Sequence, residues 1–556
     1  MSSLPGWSMA NEEQTFLEEI LAGLSNGFQG LFGPVYEGPS HPPSTTDLLN
    51  GFLPVFLVAF VVTLLVVPVV RWIAIQFDIV DKPDGGRKIH RYPVAYLGGA
   101  GVFAGVVAGI ISFDPLVHFS NPVPDGFSIS AYPPVSFAVV FGILAIFVTG
   151  LLDDIFHWDP RLKLAGQLVA AGALALSDFG TGAATGLLSP FFAWMPAVDL
   201  TQAAASVDGL GEMAKQAWIS DIRLPTIDGG WESLRVWGVE FDDTVPVVPE
   251  GANVSWAWNP FLTLDGVYYW AGVVLIGVVI LGACNAANLL DGLDGLLSGT
   301  VGTMAVGFVA VAMLLAIADV SDHRAVDDAT AVVFSESGDL AATTADFVVE
   351  GEAFAVGEAE ASSGFSYQRE VKGRYDPLAG SRIVIALALL GACLGFLPYN
   401  FNPAVIFLGD AGSLLMGFLC GVLILSLGSE GQTHYVVAGL IIFALPIMDT
   451  LLAILRRKLA GLPMSAPDKN HIHHMFLRAF GGNVKKAVTA LYGLNAIFVL
   501  LGVGLAATVA LGGARYLLAY GTAILIFGFV GAVAMKTALR NRWELQARDP
   551  QPDESS

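Results

Sequence analysis

Long apolar runs alternate with short polar loops along most of this chain, beginning with GFLPVFLVAFVVTLLVVPVV at residues 51–70. A hydrocarbon core of about 30 Å takes roughly 20 apolar residues in a helix, so each such run is a candidate membrane span. The runs predict spans over residues 51–76, 94–112, 134–152, 162–179, 267–286, 298–318, 380–398, 411–428, 434–455, 486–510 and 515–537. The expected fold is therefore an all-α polytopic membrane protein with about 11 transmembrane helices, because helices satisfy their own backbone groups in lipid.

Two long polar stretches interrupt this pattern. Residues 180–265 are rich in Gly, Pro, Asp and Trp, with short alternating pieces such as LRVWGVEF, and read as a small β-rich module. Residues 319–379 are rich in Ala, Glu, Ser and Asp and read as flexible or weakly folded. The chain thus divides into an N-terminal segment 1–50, a membrane core in three parts (51–179, 266–318 and 380–537), two insertions (180–265 and 319–379) and a tail 538–556. Within the first segment, EEQTFLEEILAGLSNGFQGLF has helical apolar spacing, which suits either a membrane-surface helix or a packing helix.

Composition agrees with a membrane protein: 54% of residues are hydrophobic, 14% are charged and the mean hydropathy is +0.65. The start, MSSLPGWSMANEEQ, has acids where a signal peptide carries lysine or arginine, so cleavage is not expected. Cys284, Cys393 and Cys420 all fall in apolar runs, where packing is the expectation rather than disulfides or zinc.

The net charge of −22 matters less than its distribution. Residues 1–50 hold six acids and no Lys or Arg; residues 199–265 hold eleven acids against three bases; residues 319–378 hold thirteen against four. The remainder is close to neutral, and its bases gather in other loops. Such segregation follows the positive-inside rule and places both acidic insertions outside the cell. With an odd number of spans, the tail carrying Arg540, Arg542 and Arg548 lies in the cytoplasm and the N-terminus outside. The inner loops are then 77–93 and 456–485, both basic. A bacterial inner (cytoplasmic) membrane is the expected location.

The concentrated polar motifs fall on this inner face. GLLDDIFHWDPRLKLAGQ sets Asp153 and Asp154 at the end of an apolar run, where each needs solvation or a cation. Asp159 precedes Pro160 as an N-cap precedes the first position of a helix. In NAANLLDGLDGLLSG, Asn285, Asn288, Asp291 and Asp294 recur every three residues, which on one helix forms a polar stripe. Two carboxylates there, with no Lys or Arg close in sequence, imply a divalent cation or a cationic partner; a purely interhelical hydrogen-bonding role is the alternative.

In YNFNPAVIFLGDAGSLLMG, Asp410 lies in a glycine-flanked turn, as a ligand or as an N-cap, with Ser413 able to cap. Hard oxygen ligands favour Mg²⁺, or Mn²⁺, over zinc. RRKLAGLPMSAPDKNHIHHMFLR carries His471, His473 and His474 beside several cations, which suits phosphate and sugar oxygens better than a zinc site. Lys82, Arg87, Lys88 and His90 in DKPDGGRKIHRYPVAYLGG form a second basic cluster, serving either substrate or anionic lipid.

Taken in order, DKP…RKIH…LGG, GLLDD, NxxNxxDGxDGL, FLGDAGS and PDKNHIHH resemble the polyprenyl-phosphate N-acetylhexosamine-1-phosphate transferases of glycosyltransferase family 4. The likeness spans roughly residues 50–540 apart from the two insertions. It implies ten or eleven helices around a cytoplasmic active-site cleft, transfer of a sugar 1-phosphate from a UDP-sugar to a polyprenyl phosphate, and release of UMP. It further implies Asp410 as the Mg²⁺ ligand, and Asp153 and Asp154 near the lipid phosphate with Asp153 a candidate base. Asp291 and Asp294 then belong to the catalytic region, Asn285, Asn288, Lys82, Arg87, Lys88 and His90 to substrate binding, and His471, His473 and His474 to donor recognition.

UDP-N-acetylglucosamine is the expected donor, because PDKNHIHH and RKIHRYPVAYLGG are similar to the branch using simple UDP-N-acetylhexosamines; the muramoyl-pentapeptide branch is the alternative. The expected partners are this donor, a polyprenyl (undecaprenyl) phosphate acceptor and the membrane, without nucleic acid; a homodimer is compatible. Moving a phosphoryl group between two anions needs charge neutralisation and alignment, which carboxylate-held metal and basic loops supply. A phosphomonoester is already largely ionised at neutral pH, so a base matters less than positioning. A transporter would place its carboxylates near the midplane, and a scaffold displaying the insertions would leave the inner-face acids unexplained.

Overall fold

The computed structural model describes residues 45–82, 93–113, 135–177, 179–192, 223–225, 231–233, 264–335, 347–349, 352–354, 378–428, 432–459, 461, 471–510, 520–525, 528, 532 and 536. These residues are mostly helical, and the protein is a multi-pass membrane protein. Among them, seven helices are long and apolar enough to cross a membrane, or eight if one bent pair counts as a span.

The chain enters through α1 (Thr45–Gln76), and the paired strands β1 (Val80–Asp81) and β2 (Val94–Ala95) lead into α2 (Gly98–Ser112). At about 1.5 Å per residue, the 15 residues of α2 fall short of a full crossing. Helices α3 (Phe137–Phe156) and α4 (Pro160–Leu176) form a hairpin, followed by α5 (Gly182–Phe192). The hairpin has a local cause. Asp159 caps α4, its carboxylate accepting the Arg161 N–H at 2.8 Å, and Pro160 stands at the first helical position, as the sequence predicts.

The first insertion contributes a short antiparallel pair, β3 (Arg223–Pro225) and β4 (Trp231–Ser233). Next come α6 (Leu264–Leu290) and α7 (Leu296–Ser335), the latter 40 residues long and extending well past the expected end of its span. Helix α7 thus runs on into the second insertion as far as Ser335, and the pair β5 (Phe347–Val349) and β6 (Glu352–Phe354) follows it. The remaining core is α8 (Ala379–Asn400), α9 (Gly409–Ser426), α10 (Thr433–Ile442), α11 (Ala444–Leu459), α12 (Ile472–Ala479) and α13 (Val484–Ala510). Helices α10 and α11 replace one expected span and meet at a 78° bend. The last expected span, 515–537, lies largely outside the described residues.

Helix α9 is the hub. It packs against α2, α3, α6, α8 and α10, and 94% of its apolar window is buried, against 28% for α1 and 33% for α13. Glycines make the close approaches possible. A Cβ on Gly99 would overlap the backbone of Gly412, and one on Gly150 would lie 2.6 Å from the Ala411 nitrogen. The first turn of α9 is therefore walled by the main chains of α2 and α3.

Candidate active site

Asp410 lies in the first turn of α9, after Gly409, whose φ of +73° suits a residue without Cβ. Its own side chain does not cap the helix. That task falls to Asp154 on α3, whose carboxylate accepts the N–H groups of Asp410 at 2.7 Å and Ala411 at 3.0 Å. The neighbouring Asp153 points elsewhere, accepting the Trp158 N–H at 2.9 Å and standing 2.7 Å from the ammonium of Lys163. Lys163 also pairs with Asp410, so one cation bridges carboxylates from α3 and α9. Asn288 from α6 donates to the other Asp410 oxygen and to Ser413 Oγ at 2.9 Å. Ser413 is accordingly a partner of Asn288 and not a helix cap.

The expected polar stripe on a single helix does not form. Helix α6 ends at Leu290 and α7 starts at Leu296; Gly295, at φ +78°, turns the chain between them. Asp291 and Asp294 thereby diverge. Asp294 holds the loop after α8, accepting from Asn402 Nδ2 at 2.8 Å and the Ala404 N–H at 3.0 Å. The Asp291 carboxylate has no hydrogen-bond donor among the described residues, and burial, then the charges of Asp410 and Asp294, push it up to about 7. Asn285, one turn deeper on α6, donates to Gln167 Oε1 of α4 at 2.8 Å.

The described LGG and HIHH residues join the same end of the bundle. Gly98 and Gly99 donate their N–H groups to the carbonyls of Phe407 and Leu408, so the LGG motif abuts the loop that carries Asp410. The HIHH motif begins a helix instead of lying within a loop: His471 is the N-cap residue of α12, and His473 packs on Gly292, where a Cβ would overlap its Nε2. His471 and His473 are buried and His474 is half-buried; burial and the neighbouring His473, His471 and Arg478 hold the His474 pKa below its usual value. Lys82 is exposed and paired with Asp78 at 2.6 Å, while Arg87, Lys88 and His90 lie outside the described residues.

Two site residues escape the sequence reading. Lys163 comes from GLLDDIFHWDPRLKLAGQ and lay in view as one of two bases; the α3–α4 hairpin is what folds it back onto Asp153. Asp449 lies within the apolar run ALPIMDTLLAIL, where it receives His471 Nδ1 at 3.0 Å and the Ile472 N–H at 2.6 Å. A carboxylate inside an apolar run is itself the available signal.

Among the described residues, no group of three or more His, Cys, Asp or Glu side chains forms a closed metal cage. The donor set nevertheless fits a hard cation. Asp291 is a half-buried carboxylate without a donor among the described residues, within electrostatic reach of Asp410, and Mg²⁺ commonly uses one or two protein carboxylates together with substrate phosphates.

The family model described as glycosyl transferase family 4 matches residues 250–428. Along most of its length the chain is similar to a Bacillus subtilis protein named "Probable undecaprenyl-phosphate N-acetylglucosaminyl 1-phosphate transferase", at 26% identity over 80% of this chain and 82% of the relative. It is likewise similar to a Mycolicibacterium smegmatis decaprenyl-phosphate N-acetylglucosaminephosphotransferase, at 27% identity over 78% of this chain and 77% of that protein. A phospho-N-acetylmuramoyl-pentapeptide-transferase of Methylacidiphilum infernorum is 32% identical, over 38% of this chain and 44% of its own.

Proposed function

We propose that this chain, similar to glycosyl transferase family 4 over residues 250–428, transfers N-acetylglucosamine 1-phosphate from UDP-N-acetylglucosamine to a polyprenyl phosphate, undecaprenyl phosphate being the acceptor assigned, and releases UMP. The observation that carries this reading is the bridge from Asp153 through Lys163 to Asp410, set at the ends of apolar helices beside Asn288 and Asp291. A charged cluster at the boundary of a membrane bundle suits a reaction between a lipid phosphate and a water-soluble nucleotide. The relatives named for N-acetylglucosaminyl transfer cover most of the chain, which favours the simple sugar donor over the muramoyl-pentapeptide.

In the reaction, an acceptor phosphate oxygen attacks the sugar-bearing β-phosphorus of the donor. The bond from that phosphorus to the oxygen bridging the α-phosphate breaks, and UMP leaves with the electron pair. Lys163 offsets the charge of the approaching phosphates, and its bridge aligns Asp153 with Asp410. Asp154 fixes the start of α9 and thereby the place of Asp410. Asn288 orients the Asp410 carboxylate. A Mg²⁺ or Mn²⁺ ion held by Asp410, with Asp291 beside it, would supply further neutralisation of the diphosphate. The segregation of Lys and Arg from the acidic insertions supports an inner-membrane protein with this cluster in a cytoplasmic cleft, N-terminus outside and C-terminus inside.

Purified protein supplied with undecaprenyl phosphate and Mg²⁺ should release UMP from UDP-N-acetylglucosamine. Release from the UDP-muramoyl-pentapeptide alone would assign the other branch.

A further inference from the structure

Asp449 is fully buried in α11, on the segment that follows the 78° bend. A carboxylate without solvent in an apolar helix is costly unless donors surround it. Two donors meet this one, with a third nitrogen nearby. One oxygen accepts the Ile472 N–H at 2.6 Å, which caps α12 from another helix; the other stands 3.0 Å from His471 Nδ1 and 3.7 Å from His473 Nδ1. The two imidazoles lie nearly parallel, 5.5 Å apart with 14° between their planes. The Nε2 edge of His473 rests on Gly292, the residue after Asp291.

Capping α12 needs only one acceptor, which a serine or asparagine would provide. The second oxygen does something else: by accepting from Nδ1 it fixes the proton of His471 on that nitrogen and leaves Nε2 as the presented atom. We propose that Asp449 is the positioning residue of the donor-binding histidines, setting the tautomer and ring orientation of His471 and the seat of His473 against the α6–α7 break. This rests on the reading that the HIHH motif contacts the UDP-sugar.

Asp449→Asn tests it, since the amide oxygen keeps the α12 cap while the NH₂ group meets Nδ1 as a donor and inverts the hydrogen bond. The KM for the UDP-sugar should rise about tenfold or more, with the KM for undecaprenyl phosphate unchanged within about twofold. His471→Gln should show the same split, and the double variant should be no worse than the more impaired single one, as expected of residues acting as a unit. A fall in kcat with both KM values unchanged, or a fully additive double variant, would overturn the assignment. Should Asp449→Asn fail to fold, His471→Gln decides alone, an unchanged donor KM refuting the proposal. The split is read with whichever UDP-sugar the wild-type protein turns over, so failure of the wild-type protein to turn over UDP-N-acetylglucosamine counts against the donor assignment only.

Discussion

The carboxylate of Asp154 receives the backbone N–H of Asp410 at 2.7 Å, so one acid of the adjacent pair holds in place the helix turn that carries another acid. Asp153, its neighbour in sequence, is turned to Lys163 instead. Two residues that look equivalent in the sequence therefore have different physical tasks.

That division is testable by alanine. Asp154→Ala should lower the thermal midpoint in detergent, because losing an N-cap costs about 1–2 kcal/mol and leaves two N–H groups of α9 without an acceptor. Asp153→Ala should lower turnover by about a hundredfold or more with a smaller change in midpoint. Equal loss of stability in both variants would contradict the separation.

Lys163→Met should leave Asp153 and Asp410 without their shared cation and reduce kcat by roughly 10²–10³. Lys163→Arg should recover part of that loss, since a guanidinium keeps the charge but not the compact geometry. Steady-state rates of UMP release distinguish the two, and an unimpaired Lys163→Met would remove the bridge from the reaction.

Asp410→Asn should abolish most Mg²⁺-dependent turnover while the protein remains folded in detergent, because a neutral amide is a poorer ligand for a hard cation. A metal titration of activity reads this directly. An unchanged Mg²⁺ requirement would sink the role given to Asp410.

For topology, single cysteines at Ser206 and Ser335 in a background lacking Cys284, Cys393 and Cys420 should react with an impermeant reagent in intact cells. A cysteine at Ser465 should stay unlabelled until the cells are opened. The opposite pattern would invert the orientation.

Much of the bundle was legible because apolar runs of span length have few other uses: α1, α3, α6, α7, α8, α9 and α13 all fall on expected segments. The Asp159–Pro160 start of α4 was equally readable, since cap and proline are local signals. The helical reading of NAANLLDGLDGLLSG failed because spacing alone cannot reveal a break when glycines and tertiary partners compete with the helix. Gly295 takes a positive φ, its N–H donates to Asn400 and its carbonyl accepts from Tyr492. Lys163 and Asp449 were missed for a shared reason. Each meets a partner on a neighbouring helix, Asp153 for Lys163 and His471 for Asp449, and one-dimensional spacing does not contain that packing.

Asp410 rides on the helix most shielded from lipid, whereas Lys163 rides on α4, whose Leu164, Leu168 and Val169 are 40%, 54% and 54% exposed. The two ends of the ion bridge therefore stand in different surroundings, one enclosed by protein and the other on a helix with an exposed apolar face. The Lys163–Asp410 contact thus ties a peripheral helix to the enclosed hub, so any displacement of α4 against α9 would act on the site through this ion pair.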